Sequence, residues 1–188
     1  MVSDTGTDVS HAVASIRRGE VIAYPTESVY GLGCDPMDAN AVAKLLELKR
    51  RDLGKGFILV ASHFDQVLPF IEPPPPVNLT QVLSTWPGPV TWIFPASSDA
   101  PAWVTGDHAS TIAIRVSAHP VIRAICEAYG RPIISTSANL AGEMPARCYD
   151  MVKMTFGTQL GAVVKGDVGG LKKPTTIRDV ISGEVLRA

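Results

Sequence analysis

Cysteine is scarce in this chain: Cys34, Cys126 and Cys148 are the only three among 188 residues. Their odd number and wide separation fit a reducing compartment better than a disulfide scaffold, so a cytoplasmic location is expected. Histidine is hardly commoner, at four, and no close Cys/His spacing supports a structural zinc site. A dominant charge is missing too. The formal net charge of -1 excludes the overall basic footprint of a dedicated nucleic-acid binder but leaves room for local patches. No apolar run approaches the roughly 20 residues of a membrane span. Met1–Gly6 lacks the basic and apolar regions of a signal peptide, so no membrane partner is expected.

Several signature motifs are also lacking. No Gly-rich phosphate loop ends in a Lys-Ser/Thr pair, and Gly166-Asp167-Val168-Gly169-Gly170 has neither the spacing of a dinucleotide fingerprint nor a following helix. No serine occupies a nucleophile elbow and no catalytic triad can be assembled.

What is present is enough for one packed domain. With 46% hydrophobic residues the chain can bury a sizeable core, and its length falls in the range of roughly 100 to 200 residues typical of single domains. Helical spacing predicts a helix over Asp8–Arg18 capped by Thr7, and a second after Asp38 that buries Val42, Leu45 and Leu46. Ser62 and Asp65 read as a capping box for a helix bearing Phe64, Val67 and Leu68. Pro73–Pro76 reads as a stiff surface connection before a helix over Leu79–Thr85, and Trp86 reads as core packing. Further helices are expected from His119-Pro120 to Tyr129, and from Pro145 onward carrying Tyr149, Val152 and Met154. Strands are expected at Glu20–Tyr24, buried on both faces, and at Phe57–Ala61, Val90–Phe94, Thr111–Val116, Pro132–Ile134 and Ala162–Lys165. A terminal hairpin turns at Ser182-Gly183.

Polar groups gather beside the strands. Tyr24-Pro25-Thr26-Glu27-Ser28-Val29-Tyr30-Gly31-Leu32-Gly33 carries hydroxyls and a carboxylate in a segment that fits neither a helix nor a clean strand. It reads as a site-forming loop, or as a connection whose Thr and Ser bond their own backbone. Lys44 to Lys55 carries five bases against two acids, and Lys165 to Arg178 four against one. Lys49 and Arg51 lie about 200° apart on an ideal helix, so they converge only if the helix ends between them or their long stems bend around it. Basic residues there also suit a solvated helix end. Arg115, inside an alternating strand, marks either the rim of a polar cavity or a solvated edge. Ser135-Thr136-Ser137-Ala138-Asn139 places three hydroxyls and an amide just past a strand, where open α/β sheets bind ligands. These cations and neutral hydroxyls can neutralise phosphoryl oxygens and orient two substrates without a protein nucleophile. They equally suit a passive anion-binding or RNA-binding surface.

Together the segments Pro25–Gly33, Lys49-Arg50-Arg51, Pro87–Thr91, Thr111–Arg115 and Thr136–Gly142 resemble the YrdC/Sua5 family across essentially the whole chain, in the family's order. The resemblance implies an α/β fold: one domain over residues 1–188, with a twisted mixed sheet and flanking helices around a large concave cavity. Longer relatives carry a further C-terminal domain, so the minimal form is expected. It implies condensation of L-threonine, bicarbonate or CO2, and ATP into threonylcarbamoyl-AMP and pyrophosphate, with Mg2+ accompanying ATP. Downstream transfer proteins would pass the group to N6 of adenosine 37 in tRNAs reading codons that begin with A. By position, Lys49 and Arg51 resemble the catalytic pair at the ATP phosphates. Ser137 and Asn139 resemble the family's nucleotide-holding Ser-x-Asn, with Thr111, Ser135 and Thr176 in the nucleotide region. Thr26, Tyr30 and Arg115 resemble the threonine-binding side. No metal ligands are assigned, Glu27 has no assigned role, and Arg178 is a weaker candidate than Arg115. The sequence departs from the family where Thr175-Thr176 replaces Ser-Thr. Direct tRNA contact stays open. The competing readings are a non-catalytic double-stranded RNA-binding or ribosome-assembly factor, and carbamoyl transfer in hydrogenase maturation, which normally needs a much larger chain.

Overall fold

The computed structural model describes residues 5–108 and 110–188. Among the described residues nine strands form one mixed sheet: β1 (Ile22–Pro25), β2 (Tyr30–Gly33), β3 (Ile58–Ala61), β4 (Val90–Pro95), β5 (Thr111–Val116), β6 (Ile133–Ser137), β7 (Ala162–Val163), β8 (Thr176–Asp179) and β9 (Val185–Arg187). Their spatial order is β7-β1-β2-β6-β3-β5-β4-β8-β9. The helices are α1 (Thr5–Arg17), α2 (Ala39–Lys49), α3 (Pro76–Leu83), α4 (Ala102–Thr105), α5 (Pro120–Tyr129) and α6 (Tyr149–Phe156).

Strand alternation divides the core into two layers. Ile22 and Tyr24, Val60 and Ile133 face a layer made by Val13 and Ile16 of α1 and Ile122 and Ile125 of α5. Ala23, Leu59 and Ile134, their neighbours in sequence, face the opposite layer with Leu45 of α2, Trp92 and Phe94. β1 is therefore buried on both faces, as its lack of polar alternation predicts. Trp86 joins the core, stacked on Phe94 with ring centroids 5.8 Å apart.

The local signals of α2 and α5 operate as expected. Asp38 Oδ1 accepts the N–H groups of Asn40 and Ala41, satisfying donors that a helix start leaves free. The His119 ring accepts the Val121 N–H at 3.3 Å, and Pro120 follows in the first turn, where it costs no hydrogen bond.

Other boundaries move. Thr7 lies within α1 instead of capping it, and α3 begins at Pro76, whose fixed φ suits a first helical turn. The expected capping box at Ser62 does not form. Ser62 Oγ bonds Gln66 Oε1 and His63 Nδ1, and two short 3-10 turns replace the helix, with Pro69 lacking the N–H that would continue it. α6 starts at Tyr149 instead of Pro145, and Met154 is 87% exposed while Val152 and Phe156 fill the inner face. Most consequential for function, Tyr30–Gly33 is a strand paired antiparallel to β1, and β6 runs on through Ser137. Both polar segments are thus partly built into the sheet.

Candidate active site

Only Thr26–Val29 remains as the turn between β1 and β2. The Thr26 N–H and hydroxyl both donate to the Val29 carbonyl, at 3.1 and 2.7 Å. Thr26 therefore does bond its own turn, yet it also lines a cavity of about 480 Å³. Tyr30 turns its hydroxyl to Gly166, donating to the carbonyl at 2.7 Å and accepting the N–H at 3.2 Å. Burial pushes this phenol up to about 12.

Gly166–Leu171 lies across the turn as a strap. The Gly169 N–H donates to the Thr26 carbonyl at 2.9 Å and the Leu171 N–H to the Glu27 carbonyl at 3.0 Å. Glycine is required at the contact, because a Cβ on Gly169 would sit 2.9 Å from the Glu27 Cα. His119 adds a third tie. With Nδ1 accepting from Val121, its Nε2–H donates to the Asp167 carbonyl at 3.1 Å, and burial holds its pKa below the ordinary value.

The opposite wall comes from α2 and β6. α2 ends at Lys49 because Arg50 takes a left-handed conformation, φ 49° and ψ 48°, so Lys49 and Arg51 converge as their spacing requires. Lys49 Nζ donates to the Ser137 carbonyl, to the Asn139 carbonyl at 3.0 Å and to Asn139 Oδ1 at 3.2 Å. Burial first, and Arg51 second, pull it down to about 8. Arg51 reaches Thr136 Oγ1 at 3.3 Å and the Gly56 carbonyl at 2.7 Å, with its guanidinium over Phe57. Ser137 Oγ donates to Asn139 Oδ1 at 2.6 Å.

Between the walls stands Arg115. β5 lies between β3 and β4, so the solvated-edge reading fails, and Arg115 is a buried residue at the cavity. Its Nη1 donates to Thr91 Oγ1 and Thr175 Oγ1, and Nη2 lies 3.6 Å from Glu27 Oε2.

Of the residues named from sequence, Thr26, Tyr30, Arg51, Thr111, Arg115, Ser135 and Ser137 line this one cavity. Lys49 and Asn139 are outside the lining but bond each other and Ser137, which is part of it. Thr176 requires correction. Alternation along the strand turns Thr175 and Ile177 toward the cavity, so Thr175 takes the place expected of Thr176. Arg187 was missed altogether. From β9 it lines the cavity, donating through Nε and Nη2 to the Thr175 carbonyl at 3.1 and 2.7 Å. Burial, then the nearby Arg115, lowers its pKa. The faint signal for it was the alternation Leu186-Arg187 in a predicted terminal strand.

The fold and site define an α/β domain whose mixed sheet carries a cavity rich in cations and hydroxyls, suited to anionic ligands. The sequence pattern of the Sua5/YciO/YrdC family, described as "Telomere recombination", matches residues 14–188. Threonylcarbamoyl-AMP synthase of Coxiella burnetii is 50% identical over 186 residues, covering 99% of this chain and all of that protein. P. abyssi Sua5, solved in complex with L-threonine, superposes with TM-score 0.85 at 30% identity over 91% of this chain. This chain spans about half of that one, 50%. E. coli YciO superposes with TM-score 0.79 at 27% identity, over 96% of this chain and 90% of its own. The chain belongs to the Sua5/YciO/YrdC family.

Proposed function

We propose that this chain is a threonylcarbamoyl-AMP synthase. It condenses L-threonine, bicarbonate or CO2, and ATP into threonylcarbamoyl-AMP and pyrophosphate, and serves threonylcarbamoylation of N6 of adenosine 37 in tRNA. The observation that carries this is one cavity bringing the Thr26–Tyr30–Arg115 side together with the Arg51–Ser135–Ser137 side. The name and identity of the Coxiella protein, and the L-threonine held by the Sua5 structure, support the same reading.

On this reading Arg115 takes the threonine carboxylate, with Thr26 and Tyr30 shaping the pocket around the amino acid. The threonine amine adds to CO2, forming an N–C bond and releasing a proton to give N-carboxythreonine. The new carboxylate attacks the α-phosphorus of ATP, an O–P bond forms, and the bond to pyrophosphate breaks. Arg51 neutralises charge that builds on phosphoryl oxygens, while Lys49 holds Ser137 and Asn139 in place to receive the nucleotide. Thr111 and Ser135 line its path.

Among the described residues no group of three or more His, Cys, Asp or Glu could hold a metal ion. The hydroxyl and cation lining instead suits an ion carried on the triphosphate, since magnesium commonly keeps substrate phosphate ligands. Mg2+ would supply charge neutralisation at those phosphates.

The test is pyrophosphate release from ATP with and without L-threonine and bicarbonate, with the nucleotide product weighed by mass spectrometry. Release that needs all three substrates and yields threonylcarbamoyl-AMP is expected. Salt-sensitive RNA binding with no threonine-dependent release would instead support the RNA-binding reading.

A further inference from the structure

Glu27 is the acid facing Arg115 from behind the cavity wall, and the reaction above leaves it unused. It is buried, its side chain 9% exposed, beside an Arg115 side chain 5% exposed. One carboxylate oxygen, Oε1, accepts the Ser117 hydroxyl at 2.5 Å, and Ser117 Oγ in turn accepts the His119 N–H at 3.0 Å. The other, Oε2, makes no hydrogen bond and faces Arg115 Nη2 at 3.6 Å. The Leu171 N–H fixes the Glu27 backbone from the strap. Glu27 is therefore held at its backbone carbonyl and at one carboxylate oxygen.

Arg115 has few other restraints. Its remaining partners, Thr91 and Thr175, are uncharged, its Nε has no partner, and the neighbouring Arg187 repels it. A buried guanidinium without an opposing charge bears the full cost of leaving water. Glu27 supplies that charge from the side, at a distance longer than a hydrogen bond, and so leaves donors of Arg115 uncommitted.

We propose that Glu27 is a positioning residue: anchored by Ser117 and the strap, it holds the Arg115 guanidinium where it receives the carboxylate of the amino-acid substrate. The inference rests on the threonine-synthase reading above and gives a role to the one acid of the Pro25–Gly33 segment.

The experiment is calorimetric titration of the full chain with L-threonine, and separately with ATP and magnesium, for wild type, Glu27→Gln and Ser117→Ala. Glu27→Gln keeps the shape and an acceptor for Ser117 but removes the charge. Ser117→Ala keeps the charge but frees the carboxylate. Glu27→Gln is expected to weaken L-threonine by on the order of tenfold, less than the loss of one partner of a hydrogen-bonded buried charge pair because the contact with Arg115 is longer than a hydrogen bond, with ATP affinity held within about twofold. Ser117→Ala is expected to weaken L-threonine in the same direction by less. Unchanged or tighter L-threonine binding in Glu27→Gln overturns the inference, as does equal loss of both ligands, which a general structural defect would give. A wild type that binds ATP but no L-threonine overturns the underlying reading and this inference together. That result is told apart from failure of the inference alone by the wild-type titration itself.

Discussion

Lys49 holds its charge among neutral acceptors, two carbonyls and an amide oxygen, with no carboxylate on it. Its pKa near 8 lies below the ordinary lysine value of 10.5, so between the two the unfolded chain binds more protons than the folded one. Stability should therefore rise with pH through that window as the folded amine sheds its buried charge. Catalysis should move the other way if the charge is what supports the phosphate side. The pH–rate profile is expected to fall through about 8, and Lys49→Arg, whose charge does not titrate there, should shift that limb upward even at a lower maximal rate. A profile flat to pH 10 would remove Lys49 from the charge-bearing set.

Among elements, the Gly166–Leu171 strap and the β1–β2 turn behave as one unit. Gly169→Ala must push its new Cβ against the Glu27 backbone and should cost about 1–3 kcal/mol, the range for overpacking a tight contact. Gly170→Ala meets nothing within 4 Å but must hold a φ of +81°, a strain of about 1–2 kcal/mol. Thermal melts should show both losses. Hydrogen exchange at Thr26–Val29 should quicken only for Gly169→Ala. The same elements show what a sequence can disclose. Asp38, His119-Pro120 and the alternation of Thr111–Val116 are local signals and were legible. β2 was not, because Gly31 and Gly33 read as breakers. For Gly33 the reason is remote: a Cβ there would come 2.2 Å from the Ile134 carbonyl of β6, about a hundred positions on. Thr175 and Thr176 could not be told apart because one residue of register decides which faces the cavity. Arg187 was hidden by the same long-range pairing.

For the whole molecule, stability rests on the sheet sandwiched between its two apolar layers. Leu59, fully buried at the middle of β3, packs in the layer that holds Leu45, Trp92 and Ile134. Leu59→Ala should cost about 2–5 kcal/mol, read by denaturant unfolding with an unchanged slope. β3 passes behind the cavity, and Ile58 lines it, so this loss should reach ligand affinity only through the fraction folded.

The cavity lining has a thermodynamic consequence. Its residues come from seven of the nine strands, β2, β3, β4, β5, β6, β8 and β9, and from segments as far apart as Thr26 and Arg187. No contiguous fragment of the chain can hold the ligand. Saturation therefore acts as a fastener on the completed sheet, and at a hundred times its dissociation constant a ligand should add about 2.7 kcal/mol to global stability. The melting transition should move upward as a single step, and the slowest amide protons in β3 and β5 should slow with it.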